Sequence, residues 1–222
     1  MKKNKKRLVV GLTGGIAAGK SLILNQLKKL NWETISCDAI SKKLFYRKDI
    51  LSRITKKFKT CERKKIAKII FSDKKQKSAL ERILLPEVLK ELRKKISEFK
   101  KNGSGCMAVE TPLLFELGLE DYFDLIITVY CPEEFQISRI HERDGISASE
   151  AKKRISSQIP ISKKIFISDF VIDNSGEVKG IKKKLKNILD KINKKSKIIK
   201  NIKQFESVHS QKVTLNQKNM NE

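Results

Sequence analysis

Residues Gly14 to Ser21 read Gly-Gly-Ile-Ala-Ala-Gly-Lys-Ser, two glycines with four residues between them, followed at once by a lysine and a hydroxyl. That spacing suits phosphate chemistry. Glycines at 14 and 19 let the backbone curl with its N–H groups pointing inward, and a following helix adds the positive end of its dipole. Lys20 can then reach β- and γ-phosphates, and the Ser21 hydroxyl can ligate magnesium. The residues expected to hold a nucleoside triphosphate are Gly14, Gly15, Ala17, Ala18, Gly19, Lys20, Ser21 and Leu22, with ATP and Mg²⁺ as the implied cofactors.

A phosphate loop works only between a buried strand and a helix. Arg7 to Thr13 is a short apolar run suited to a buried parallel strand, and Leu22 to Leu27 opens a helical pattern, so strand, loop and helix come in the required order. Four more runs look like strands: 33–37, 106–110, 125–130 and 170–173. Helical patterns separate them. The class predicted is therefore α/β of the phosphate-loop NTPase type, a parallel five-stranded sheet with helices on both faces and its ligands at the carboxyl ends of the strands. Chemistry-bearing residues recur at those ends. Asp38 follows the second strand, Glu110 ends the third, Cys131-Pro132 follows the fourth, and Asn174, counted here with the nucleotide-binding residues, follows the fifth.

The organisation expected is one kinase-like domain over 1–192, with its core in 7–38 and 103–192. Residues 39–102 are too long for a single crossover and read as a helical insertion, including a helix from Ser78 to Phe99 broken near Pro86. The Arg- and Glu-rich segment 139–159 reads as a mobile lid. Residues 193–222, Lys- and Asn-rich and without glycine, read as a tail passing into disorder.

Composition bounds the partners. The chain has 222 residues with 50 Lys+Arg against 25 Asp+Glu. Residues 1–7 carry five basic and no acidic groups and residues 179–222 thirteen basic against three acidic, so much of the excess sits at the two ends. Without interleaved aromatics this argues for a solvated Lys-biased surface and against a nucleic-acid partner. Cys37, Cys61, Cys106 and Cys131 are widely spaced and read as reduced core residues of a cytoplasmic protein. No segment approaches a membrane span, which excludes a membrane partner. His141, His209 and Trp32 are given no role, and the oligomeric state is not legible.

In series, Gly11-Leu12-Thr13-Gly14-Gly15-Ile16, Gly19-Lys20-Ser21, Asp38-Ala39-Ile40, Pro112 to Glu116, Arg143-Asp144-Gly145 and Val171 to Gly176 resemble the dephospho-coenzyme A kinase family from about Leu8 to Gly176. The resemblance implies transfer of the ATP γ-phosphoryl to the ribose 3′-hydroxyl of dephospho-coenzyme A, the small-molecule partner. It places a proposed general base at Asp38, which from position alone could equally be a helix N-cap. Arg143 and Arg154, with Arg139 beside them, could fold over the phosphates or form a solvated helix face with Glu142 and Glu150. Glu110 could hold magnesium through water or cap a loop. The chain departs from the family at Ser36-Cys37 (Asp-Ala), Lys42 (Arg), Glu110 (Asp), Leu85 (His) and Leu22 (Thr), changes that bear on the acceptor more than on the donor. A nucleoside monophosphate kinase of the same architecture, or a nucleic-acid-associated NTPase, are the alternatives; a GTPase is disfavoured because no Asn-Lys-x-Asp motif follows a strand.

Overall fold

The computed structural model describes residues 7–175, 180–192 and 194, in two units that divide after Ser175. The first unit is built on five strands: β1 (Arg7–Gly14), β2 (Glu33–Ser36), β3 (Gly105–Glu110), β4 (Leu125–Tyr130) and β5 (Phe170–Asp173). Every pairing is parallel, in the order β2-β3-β1-β4-β5. The longest strand thus takes the central place. From Leu8 onward every residue of β1 is buried, and five of the six in β4, as expected for a sheet covered on both faces. Two aspartates repeat one device at the strand entries: Asp124 accepts from Val9 N at 2.7 Å and Asp169 from Ile126 N at 2.9 Å, each tying one strand's start to the segment leading into its neighbour.

Helix α1 (Lys20–Lys29) follows the phosphate loop and buries Ile23, Leu24 and Leu27. Between β2 and β3 run α2 (Cys37–Phe45), α3 (Lys48–Phe58), α4 (Arg63–Ser72) and α5 (Lys74–Asn102), in the segment read as a helical insertion. Two boundaries differ from the sequence reading. Strand β2 stops at Ser36 because the Ser36 hydroxyl accepts from Ala39 N at 3.4 Å and starts α2 one residue early. The predicted break at Pro86 is absent, and α5 runs through it for 29 residues. Asp73 caps its start, and Leu84, Val88, Leu92, Ile96 and Phe99 bury one continuous stripe, which outweighs the single backbone hydrogen bond that an exposed proline forfeits. At the far end Arg7 donates to the carbonyls of Lys100 and Gly103, fixing the helix to the head of β1.

The segment read as a lid consists of the latter half of α6 (Glu133–Asp144), a turn at Gly145 with φ 67°, and α7 (Ala148–Ser156), which begins with a Ser147/Glu150 capping box. Helix α8 (Ile161–Ile167) leads back to β5. The cysteines are less uniformly interior than expected: Cys131 is buried, Cys37 and Cys106 are half-buried, and Cys61 is exposed. No helix among the described residues is long and apolar enough to cross a membrane. In the second unit residues 180–192 are helical and bury Ile181, Leu185, Ile188 and Ile192 at helical spacing. The tail expected over 193–222 lies outside the described residues apart from Lys194, and so does His209.

Candidate active site

The phosphate loop leaves the carboxyl end of the central strand in a conformation set by its glycines. Gly14 has φ 144°, and a Cβ there would collide with the Val129 carbonyl of the neighbouring strand; Gly19 has φ 95°, and a Cβ there would collide with the Asn174 amide. No larger residue fits either place. Ala17 also takes a positive φ, 55°. Helix α1 starts without a side-chain cap and with no acidic residue in its first turn, so its free N–H groups and dipole face the loop uncompensated.

Lys20, only 7% exposed, folds back to donate to the carbonyls of Gly14 at 3.2 Å and Gly15 at 2.8 Å. Burial pushes its ammonium down to about 8; Glu110 and Asp38 oppose the shift, while Lys164 and Arg143 add to it. A buried cation with no counter-ion in direct contact is poised for an anion. The Ser21 hydroxyl donates to Glu110 Oε1 at 2.9 Å, Ser21 being exposed and Glu110 5% exposed. A hydroxyl beside a buried carboxylate is a hard-oxygen pair that suits Mg²⁺, which takes few protein ligands and completes its shell with water and phosphate oxygens. Among the described residues no cluster of three or more His, Cys, Asp or Glu could hold a metal alone.

The loop is propped from behind by side chains far away in sequence. Asn174 Nδ2 donates to Ala18 O at 2.7 Å, so this residue, 3% exposed, touches the loop's backbone. Arg139 donates to Ala17 O at 3.3 Å and to Asn174 O at 3.2 Å, and Gln158 accepts from Ile16 N at 3.1 Å. Gln136 is buried against Gly15 and donates to Cys131 O at 2.7 Å. Leu22 sits in the first turn of α1, where its N–H is bonded to Gly19 O at 3.0 Å.

A cavity of about 940 Å³ opens in front of the loop, lined by Lys20, Ser21, Asp38, Glu110, Arg139, Arg143 and Arg154 and floored by leucines of α5. Asp38 lies in the first turn of α2, exposed, and the cap belongs to Ser36; the carboxylate is left facing the cavity. Arg143 forms a forked pair with Asp144, both bonds 2.9 Å, and Arg154 reaches the same carboxylate at 2.6 Å. Both thus hydrogen-bond Asp144, while Glu142 and Glu150 bond Ser138 and Ser147 and Glu150 also feels the charge of Arg154. The two guanidiniums hold the Asp144 carboxyl below its usual range. Cys37 shares a hydrogen bond with Thr111 Oγ1 at 3.3 Å, and burial pushes its thiol up to about 11, so it stays protonated and is no nucleophile.

The sequence reading singled out neither Gln158 nor Lys164. Lys164 is fully buried, 2.7 Å from Glu116 Oε1 and 3.0 Å from Pro112 O, and the same Glu116 oxygen accepts from Ile159 N at 3.1 Å. The pair ties α8 and the end of the lid to the loop after β3. In the sequence Lys164 stands next to Lys163 and Ser162, and nothing local marks it as the buried one of the two lysines.

Comparison with known proteins gives a consistent picture. The family model described as dephospho-CoA kinase matches residues 8–180. A dephospho-CoA kinase of Carboxydothermus hydrogenoformans is 37% identical over 193 residues, covering 82% of this chain and 93% of its own. The solved dephospho-CoA kinase of Campylobacter jejuni superposes with a TM-score of 0.64 at 27% identity, covering 86% of this chain and all of that one. A shikimate kinase of Acinetobacter baumannii shares the fold, with a TM-score of 0.51 at 14% identity over 86% of this chain and 96% of its own.

Proposed function

The chain belongs to the dephospho-coenzyme A kinase family, and from that premise we propose how its own residues divide the work of the transfer. It is an ATP-dependent kinase that phosphorylates dephospho-coenzyme A in the last step of coenzyme A synthesis. The observation that carries the division of labour is that Lys20, the Ser21–Glu110 pair and Asp38 all line one cavity at the carboxyl ends of β1, β3 and β2.

On the donor side the loop's backbone N–H groups that lack a protein partner and the open end of α1 cradle the phosphates. Lys20 leaves the Gly14 and Gly15 carbonyls and neutralises charge on the β- and γ-oxygens. Ser21 and Glu110 would hold Mg²⁺, which when bound neutralises the phosphate tail. On the acceptor side Asp38 takes the proton of the ribose 3′-hydroxyl as that oxygen bonds to the γ-phosphorus and the bond from phosphorus to the β–γ bridging oxygen breaks, releasing ADP. Arg143 and Arg154, already aimed by Asp144, supply the planar donors that meet the three equatorial oxygens. Free thiols and an ATP-dependent reaction fit the cytoplasm as the compartment.

One assay tests the reading. ADP release measured over a panel of acceptors is expected to give dephospho-coenzyme A a kcat/KM at least about 10²-fold above AMP, CMP or shikimate. A preference for a nucleoside monophosphate would move the assignment to that kinase class; hydrolysis stimulated only by nucleic acid and lost as salt rises would sink it altogether.

A further inference from the structure

We propose that Arg63, at the start of α4, acts with Lys42 of α2 as the clamp for the acceptor's diphosphate, and so decides how tightly this chain holds its acceptor; the inference rests on the acceptor assigned above. Both residues line the cavity that contains Asp38 and Lys20, and they come from separate helices of the insertion. Lys42 stands four residues after Asp38 on the same helix, which puts the two side chains on one face with Cβ atoms about 6 Å apart. The acceptor has matching dimensions. Its reacting 3′-oxygen and its 5′-diphosphate are substituents of one furanose ring, so a hydroxyl at Asp38 brings the diphosphate within reach of a cation one helical turn along.

Three cations of the insertion line the cavity, Lys42, Arg63 and Lys77. Arg47 is held by Asp49 at 2.7 Å and Glu87 at 2.6 Å, Lys65 by Glu62 at 2.6 Å, and Lys95 by Glu91 at 3.6 Å. Lys77, also on the cavity, is 3.7 Å from Glu81. Lys42 and Arg63 have no acidic partner among the described residues. Two cations that face a cavity without an acidic partner mark the place where the ligand supplies the negative charge. The division of roles follows from their shapes: Lys42 is a flexible point charge, whereas the Arg63 guanidinium can bridge two phosphate oxygens with parallel N–H donors. Beyond them Leu84, Leu85 and Val88 of α5 form apolar floor, suited to the less polar arm of the acceptor.

Steady-state kinetics of the full chain test this. Arg63→Gln is expected to raise KM for dephospho-coenzyme A on the order of tenfold with kcat and KM for ATP within about twofold, Arg63→Lys to recover most of the loss, and Lys42→Gln/Arg63→Gln to approach 10²-fold. Lys65→Gln, two residues along α4 but paired with Glu62, serves as the control and should leave acceptor KM unchanged. An Arg63→Gln enzyme with unchanged acceptor KM, an effect confined to kcat or ATP, or an equal effect of Lys65→Gln would each overturn the clamp. A wild-type chain that does not phosphorylate dephospho-coenzyme A would overturn the reading beneath it instead.

Discussion

The two walls of the cavity are built on opposite plans. On the donor wall almost every polar group already has a protein partner: Lys20 on two loop carbonyls, Ser21 on Glu110, Asn174 on Ala18, Gln158 on Ile16 and Arg139 on Ala17. On the acceptor wall Asp38, Lys42 and Arg63 are exposed and face open space. The difference teaches where each kind of specificity resides. In the proposed division a triphosphate would meet a cradle whose shape is fixed before it arrives, so little would have to be ordered at the moment of binding. The acceptor would meet loose charges on helices and supply part of the order itself.

The comparison breaks most sharply at Asp38. If the acceptor wall contributes chemistry and not only charge, Asp38→Asn lowers kcat by about 10²- to 10⁴-fold, or roughly 2.7 to 5.4 kcal/mol on the barrier, with ATP affinity unchanged. Its melting temperature should scarcely move, because Ser36 caps α2 and asparagine is itself tolerated in a first turn. Full kcat in a less stable variant would return Asp38 to a helix-start role and leave the acceptor wall without a base.

A smaller effect sharpens the donor side. Asn174→Ala removes one buried hydrogen bond to Ala18 and opens space beside Gly19, so the loop is no longer held in its preformed shape. At about 1 to 2 kcal/mol for a buried, half-broken pair, KM for ATP should rise about 5- to 30-fold while KM for the acceptor stays within twofold. Equal changes on both substrates would show that the two walls are not independent.

How much of this was legible in the sequence follows the same division. The loop and its strand were plain because they are local: Gly14 and Gly19 must be glycines whatever surrounds them, and β1 is apolar along its length. The props were not. Asn174, Gln158 and Lys164 reach the site across 156, 142 and 52 residues of chain, and nothing local distinguishes Gln158 or Lys164 from surface residues. Arg139 stood beside Arg143 and Arg154 in the reading, yet which of the three touches the loop depends on how α6 is turned against it. Pro86 misled for the converse reason, a strong local signal overruled by a buried stripe that forms only when α5 is packed.

The finest test of a preformed donor wall is proton-linked. In the free enzyme Lys20 titrates at about 8, below the ordinary lysine value of 10.5, because burial penalises its charge. Bound phosphates favour the charged form and raise that value again. Below about pH 7 Lys20 is protonated with or without nucleotide, so binding moves no proton through it. Between about pH 8 and 10.5 the free side chain is largely neutral and must be protonated as the nucleotide binds, so ATP or ADP binding should take up a sizeable fraction of a proton at pH 9, and affinity should fall as pH rises through that window. Calorimetry at pH 9 in two buffers of different ionisation enthalpy reads this uptake directly, and Lys20→Met should remove it. Uptake that persists in Lys20→Met, or is missing from the wild type, would mean that Lys20 is not the buried cation awaiting phosphate, and the contrast between a finished donor wall and an unfinished acceptor wall would lose its central residue.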